Sequence, residues 1–183
     1  LLGALDDLGV PRPQLLWRTV TRHSQERKNS SAVTSDDLPG FSDTGPELVD
    51  FTPTRKIREE IRLLGAAISA HPMSLFRHEV QQQHCIAMND LRRWIGKTVR
   101  VAGIRLASRQ HPTKTGLMGF ITLEDEEAMC EITCFSRLWA QAKKVLLERP
   151  EVIVVTGRVD VRMDVLSIIA TKIAPLTNVR ATG

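Results

Sequence analysis

The chain has 183 residues, 42% of them hydrophobic and 25% charged, which is the composition of a soluble globular protein of one or two domains. No run of about 18 apolar residues and no signal peptide can be read, which excludes a membrane-spanning helix and predicts a cytoplasmic location. A formal net charge of +4 permits nucleic-acid binding without requiring it.

The first half of the chain predicts short helices and a linker. Residues 1–20 carry two short apolar runs around a turn at Gly9 and Pro11, which predict a helical remnant at the edge of a helix-hairpin-helix unit. Residues 21–53 have few hydrophobic side chains and many Ser, Thr, Asp, Gly and Pro, a composition typical of a flexible linker. A domain boundary is therefore expected there.

Residues 54–96 predict a helical connector. Its first helix is expected to begin with Thr54 as N-cap and to end at Gly65. Pro72 interrupts the pattern, because the residue before a proline disfavours the helical conformation. A second short helix is predicted over residues 73–83, and Trp94 and Ile95 are expected to cover the open end of the domain that follows.

From residue 98 onward the pattern predicts strands. They cover residues 98–109, 118–123, 129–135, 152–159 and 165–170, and an amphipathic helix with Ser136 as N-cap covers residues 136–148. A basic loop, 110–116, and an acidic turn, 124–127, join the first three strands. Gly103 lies within the first strand, where the missing Cβ allows the strand to bend and belong to two faces of one barrel.

Three strands, a helix and two strands are the order of the OB-fold, a Greek-key barrel. The predicted fold is therefore mainly β with α: a five-stranded barrel over residues 97–176, preceded by short helices and a flexible linker and followed by a tail over residues 177–183. In this fold, strands 2 and 3 and the loops after strands 1 and 4 bind oligonucleotides or oligosaccharides.

A stacking surface with a basic rim is predicted on the outside of this barrel. If Ile121 and Leu123 face the core, Phe120 emerges on the outer face, and the alternation of the third strand brings out Phe135. Nucleic-acid bases stack on such rings without sequence preference. The alternative, that one or both phenylalanines are core residues beneath the helix, stays open. The predicted nucleic-acid-binding residues are Arg100, Arg105, Arg109, His111, Lys114, Phe120, Thr122, Phe135 and Arg162.

The remaining reactive side chains indicate neither a metal site nor a cofactor. The spacings of His71, His78, His84 and Cys85 match no zinc site, and four acids in a tight connection, residues 124–127, are typical of a solvated hairpin turn. The other two cysteines, Cys130 and Cys134, lie at i and i+4 of a predicted strand, roughly 13 Å apart, too far for a disulfide. An odd cysteine count therefore indicates a reducing compartment.

Three runs together resemble the carboxy-terminal region of bacterial C-family DNA polymerases, the family of the DNA polymerase III alpha subunit and its error-prone relative. The error-prone branch is the closer likeness. The resemblance implies an OB domain that contacts single-stranded template and a neighbouring region that docks toward the processivity clamp, in DNA replication, DNA repair or translesion synthesis. The runs are residues 63–77 (LLGAAISAHPMSLFR), 96–104 (GKTVRVAGI) and 119–125 (GFITLED), and residues 1–20 resemble the end of the family's helix-hairpin-helix part.

The resemblance also limits the function. The family's palm aspartates and metal-binding amino-terminal domain have no counterpart in this sequence, so the chain alone is not predicted to be an enzyme. Residues 81–86 (QQQHCI) match a clamp-binding peptide poorly. The sequence thus predicts a single-stranded DNA-binding module of a C-family polymerase. The alternative is a protein-interaction module that docks a replication or repair partner through the barrel face or through the helix over residues 136–148.

Overall fold

The computed structural model describes residues 9–28, 46–114, 116–162 and 164–176. It divides the chain into two compact units, residues 1–71 and 72–183. The boundary falls at Pro72, inside the segment predicted as one helical connector, where a stretch without helix (65–71) ends and a new helical segment begins. Residues 1–8, most of the predicted linker (29–45) and the predicted tail lie outside the described residues. No helix in the described ranges is long and apolar enough to cross a membrane.

In its described residues, the first unit contains two helices, α1 (Arg12–Lys28) and α2 (Pro53–Leu64). Helix α1 continues eight residues into the segment that the sequence assigned to the linker. The sequence did not indicate this extension, because residues 21–28 are polar and carry no apolar stripe. Helix α2 is capped by Thr52, whose side chain accepts from the Arg55 amide, and not by Thr54 as predicted. Pro53 fits the first helical position because it needs no N–H partner there. Gly65 ends α2 in the left-handed conformation, as predicted, with φ 75°.

The second unit opens with three short helical segments: a 3-10 helix (Pro72–Phe76), α3 (Arg77–Gln82) and a second 3-10 helix (Met88–Trp94). Met88 and Leu91 of the last segment are buried in the barrel core. Trp94 and Ile95, which the sequence predicted in this covering role, are exposed instead. The 3-10 geometry turns Met88 and Leu91 inward, three residues apart on one face.

Five strands then form a closed barrel in the order β1-β2-β3-β5-β4. The predicted mainly β OB-fold with helices is confirmed. Strand β1 pairs with β4 through Gly103 and with β2 from Ile104 onward, so the strand changes partner at the predicted glycine. A Cβ on Gly103 would lie 2.7 Å from the Glu124 carbonyl oxygen, so this site requires glycine. The strands are β1 (Thr98–Thr113), β2 (Gly116–Glu124), β3 (Met129–Cys134), β4 (Ile153–Arg162) and β5 (Val165–Pro175).

Helix α4 (Ser136–Leu147) connects β3 to β4 and packs on the barrel through Trp139, Ala142 and Leu146, which are buried. Its N-cap is Phe135, without a side-chain cap bond, whereas Ser136 is already the first helical residue. A Cβ on Gly119 of β2 would lie 1.9 Å from the Trp139 ring. The absence of that Cβ therefore allows α4 to lie directly against β2.

Candidate nucleic-acid interface

The side chains of β2 divide between the barrel interior and its outside. Ile121 and Leu123 are fully buried, whereas Phe120 and Thr122 are partly exposed. The predicted alternation of β2 is therefore present. We call the outward-pointing residues of β1, β2 and β3 the outer face. They are Ala107, Arg109 and His111 of β1, Met118, Phe120 and Thr122 of β2, and Glu131 and Thr133 of β3.

Arg109, Phe120 and Glu131 form one contact across three strands of the outer face. Arg109 lies opposite Phe120 in the β1–β2 pairing, and its guanidinium carbon is 5.1 Å from the centre of the Phe120 ring. The same guanidinium reaches across β2, where Nη2 donates to Oε2 of Glu131 at 2.6 Å. Its side chain is nonetheless 73% exposed, so Arg109 is accessible to a ligand from solution.

A β-bulge separates Arg105 from Arg109. Arg105 pairs with Leu123, and Ala107 pairs with Thr122, so β1 advances two residues while β2 advances one. One extra residue reverses the side-chain alternation, which places Arg105 and Arg109 on opposite sides of the strand. Arg105 donates to the Leu146 carbonyl at the end of α4, over 3.5 Å. The structure thus places Arg105 away from the outer face, although the sequence interpretation listed it with Arg109 among the nucleic-acid-binding residues.

Arg100 also lies apart from the outer face. It belongs to the part of β1 that pairs with β4, opposite Thr156, and donates to the Gln83 carbonyl at 2.9 Å. Two residues further, Ala102 is buried in one cluster with Met73, Val152 and Val154. The helical segments at the start of the second unit therefore cover this side of β1.

The remaining predicted residues lie at strand ends. Strand β1 continues to Thr113, so the segment predicted as a basic loop is largely the end of a β-hairpin, with His111 opposite Met118 and Lys114 exposed at its tip. Arg162 is exposed at the end of β4, next to the β4–β5 turn. Phe135 follows the last β2–β3 pair and is 55% exposed, which shows that it is not a core residue under α4.

Arg158, which the sequence interpretation missed, lies in the same cross-strand row as Arg109 and Phe120. The row runs across the barrel strands through the successive pairs Arg158–Ile169, Ile169–Thr133, Thr133–Phe120 and Phe120–Arg109. One cross-strand row therefore begins and ends with an arginine. The alternation of Arg158, Asp160 and Arg162 around buried Val159 was the signal available in the sequence. Asp160 lies 4.0 Å from Arg158, so acidic side chains accompany both arginines of this row.

The acidic turn after β2 has a structural role. Oδ1 of Asp125 accepts from the amides of Glu127 and Ala128, and Oδ2 accepts from the Met88 amide at 2.6 Å. Glu126 forms an ion pair with Arg77, with Nε donating to Oε1 at 2.7 Å. The turn joins β2 and β3 as a hairpin with Glu126 and Glu127 exposed, as predicted, and it also holds the preceding helical segments against the barrel.

The three cysteines are not poised for chemistry. Burial raises the pKa of the Cys130 thiol to about 12 and the pKa values of Cys85 and Cys134 to about 11. A thiol with so high a pKa stays protonated near neutral pH and is a poor nucleophile and metal ligand. Within the described residues, no group of three or more His, Cys, Asp or Glu side chains is placed to hold a metal ion.

Comparison with known proteins gives the class of the barrel. Residues 98–176 match the family model for the OB-fold nucleic acid binding domain. This range coincides with the five strands and α4. The second unit therefore contains an OB-fold domain of the nucleic-acid-binding class.

Relatives extend the match to nearly the whole chain. An error-prone DNA polymerase of Rhodopirellula baltica is 25% identical over 98% of this chain and 15% of that protein. That of Symbiobacterium thermophilum is 27% identical over 94% of this chain and 18% of that protein. That of Xanthomonas axonopodis pv. citri is 33% identical over 66% of this chain and 11% of that protein.

The chain is therefore homologous to a segment of the error-prone DNA polymerases, as its resemblance to the C family predicted. It spans less than a fifth of the length of these curated relatives.

Proposed function

We propose that this chain is the single-stranded DNA-binding module of an error-prone, C-family DNA polymerase that acts in DNA replication or repair synthesis. The observation that carries this proposal is the Arg109–Phe120 contact on the outer face of an OB-fold domain. It combines an aromatic ring, on which a base can stack, with an accessible cation for the neighbouring phosphate. The cytoplasmic location follows from this role and stays a prediction.

The ring and the cation contribute separate terms to binding. Base stacking on an aromatic ring contributes about 1–3 kcal/mol to binding. The base must displace Arg109 from the ring, and the lost cation–π interaction offsets roughly 0.5–1 kcal/mol of that gain. Each phosphate contact gives a slope of about −0.7 in the logarithm of the binding constant against the logarithm of the salt concentration. Stacking therefore contributes to affinity at every salt concentration, whereas the contribution of the arginine falls as the salt concentration rises.

The test is fluorescence anisotropy of a labelled oligothymidylate with the full chain over a series of salt concentrations. Arg109→Ala is expected to flatten the salt slope by about 0.7, because one phosphate contact is lost. Arg105→Ala is the matched control, since it removes the same side chain from the same strand on the opposite side. It is expected to leave the slope unchanged.

Phe120→Ala is expected to weaken binding by about 0.5–2 kcal/mol with little change in slope. Phe120→Leu retains apolar volume without an aromatic ring and separates stacking from folding. Thermal unfolding of each variant checks that the barrel is intact. If the folded wild-type chain does not bind even at low salt, the proposal is wrong, and the protein-interaction module becomes the better hypothesis.

A further inference from the structure

The Arg109–Glu131 ion pair occupies the groups that the proposed function assigns to the ligand. Nη2 of Arg109 donates to Glu131 at 2.6 Å, and its guanidinium lies over the Phe120 ring at 5.1 Å. A phosphate would compete for the Nη2 donor, and a base needs the same ring face. In this structure the chain's own side chains therefore occupy that donor and that ring face, while the Arg109 side chain as a whole stays 73% exposed.

We propose that Glu131 is an intramolecular competitor of the DNA phosphate. The Glu131 carboxylate accepts from the Nη2 donor of Arg109, so a phosphate that binds this donor must exchange with it. Release of Arg109 from Glu131 also lets the guanidinium leave the Phe120 ring and exposes the ring to a base. Glu131 thus limits the affinity of the face without itself contacting the ligand. This inference rests on the proposed function.

The position of Glu131 supports this role over a purely structural one. Its pairing partners are Thr122 on β2 and Ser167 on β5, neither of which neutralises its charge. The ion pair joins β1 to β3 across β2, although both strands are already hydrogen-bonded to β2. Because partly exposed ion pairs contribute little to folding stability, its removal is expected to change binding more than stability.

The experiment measures oligothymidylate affinity for Glu131→Gln in the full chain at low salt. The expected gain is about two- to fivefold, the equivalent of one partly exposed ion pair. Glu148→Gln is the matched control, since Glu148 is an exposed acid at the end of α4 and its replacement changes net charge equally. Glu148→Gln is expected to change affinity by less than about 1.5-fold, because salt screens the charge of a solvent-exposed carboxylate. Glu131→Ala, which also removes the acceptor atoms, should behave like Glu131→Gln.

A double substitution distinguishes competition from simple repulsion. In the Arg109→Ala background, Glu131→Gln is expected to give no more gain than the Glu148→Gln control, because no arginine remains to be released. If Glu131→Gln raises affinity equally with and without Arg109, the proposed competition is wrong and only long-range repulsion explains the effect. A loss of affinity in a folded Glu131→Gln variant would overturn it as well. If wild type, Glu131→Gln and Glu131→Ala all fail to bind, the proposed function itself is wrong and the inference falls with it.

Discussion

Acidification is predicted to weaken the first unit through one buried ion pair between α1 and α2. Arg12 and Glu60 are both buried, and Arg12 Nη2 lies 2.8 Å from Glu60 Oε1. The other Glu60 oxygen accepts from the amides of Ile68 and Ser69, each at 2.8 Å. Burial opposes ionisation of Glu60, but the hydrogen bonds from Ser69, Ile68 and Arg12 outweigh it and lower the pKa from 4.5 to about 2.

The sign and the size of the effect follow from this shift. A lowered pKa means that the folded state favours the ionised carboxylate, so the stabilisation is fully present above pH 4.5 and is lost as the pH falls toward 2. A shift of this size corresponds to about 3 kcal/mol, since each pKa unit is worth about 1.4 kcal/mol. Glu60→Gln removes the charge at every pH and with it the buried ion pair to Arg12, which costs about 3–5 kcal/mol near neutrality.

Amide hydrogen exchange of Ile68 and Ser69, followed by NMR, reports opening of this site. At pH 6 the opening free energy of Glu60→Gln is expected to lie about 3–5 kcal/mol below that of wild type. The difference should shrink by about 3 kcal/mol on lowering the pH from 5 to 2, because wild type loses the same charge. Glu59→Gln, next to it on α2 and paired with exposed Arg62, is the control and should change stability by less than about 1 kcal/mol. A wild-type-to-variant difference that stays constant from pH 5 to 2 would refute the reasoning.

Two further predictions concern the barrel and the isolated chain. Gly119→Ala is expected to lower the free energy of unfolding by about 1–3 kcal/mol, since its Cβ would lie 1.9 Å from the Trp139 ring. Urea unfolding measures the loss, and a cost that is not smaller in a Trp139→Leu background would show that the ring is not its cause. The 183-residue chain alone is expected not to incorporate nucleotides, because the sequence has no counterpart of the polymerase family's palm aspartates. Metal-dependent primer extension by the purified chain would contradict this.

The sequence predicted the barrel because alternation in a half-buried strand is a direct consequence of burial. Ile121, Leu123 and Ile132 are fully buried, and their neighbours along each strand point outward. Strand order and the partner change at Gly103 were equally readable. The alternation is a local pattern, since it depends on side chains only two residues apart, whereas the order of elements and the glycine pointed to a known barrel.

The bulge in β1 was not predictable in the same way. Nothing in the residues between Arg105 and Ala107 departs from a regular strand, because the bulge is defined by the pairing with β2. A one-residue shift then decided which arginines share a face with Phe120. Caps were misplaced by one or two residues: Thr52 and Thr54 could both cap α2 and the fold selects Thr52, whereas α4 begins after Phe135 without a side-chain cap.

The number of basic residues in the barrel overestimates the number of phosphate contacts that it can make, because several arginines already bind groups of the protein. Arg100 and Arg105 donate to backbone carbonyl groups, and Arg109 is held by Glu131. A guanidinium already bound to the protein must be released before it binds a phosphate. The lost contact offsets part of the binding free energy that each new phosphate contact supplies. Affinity for a strand should therefore depend more on Phe120 than on net charge.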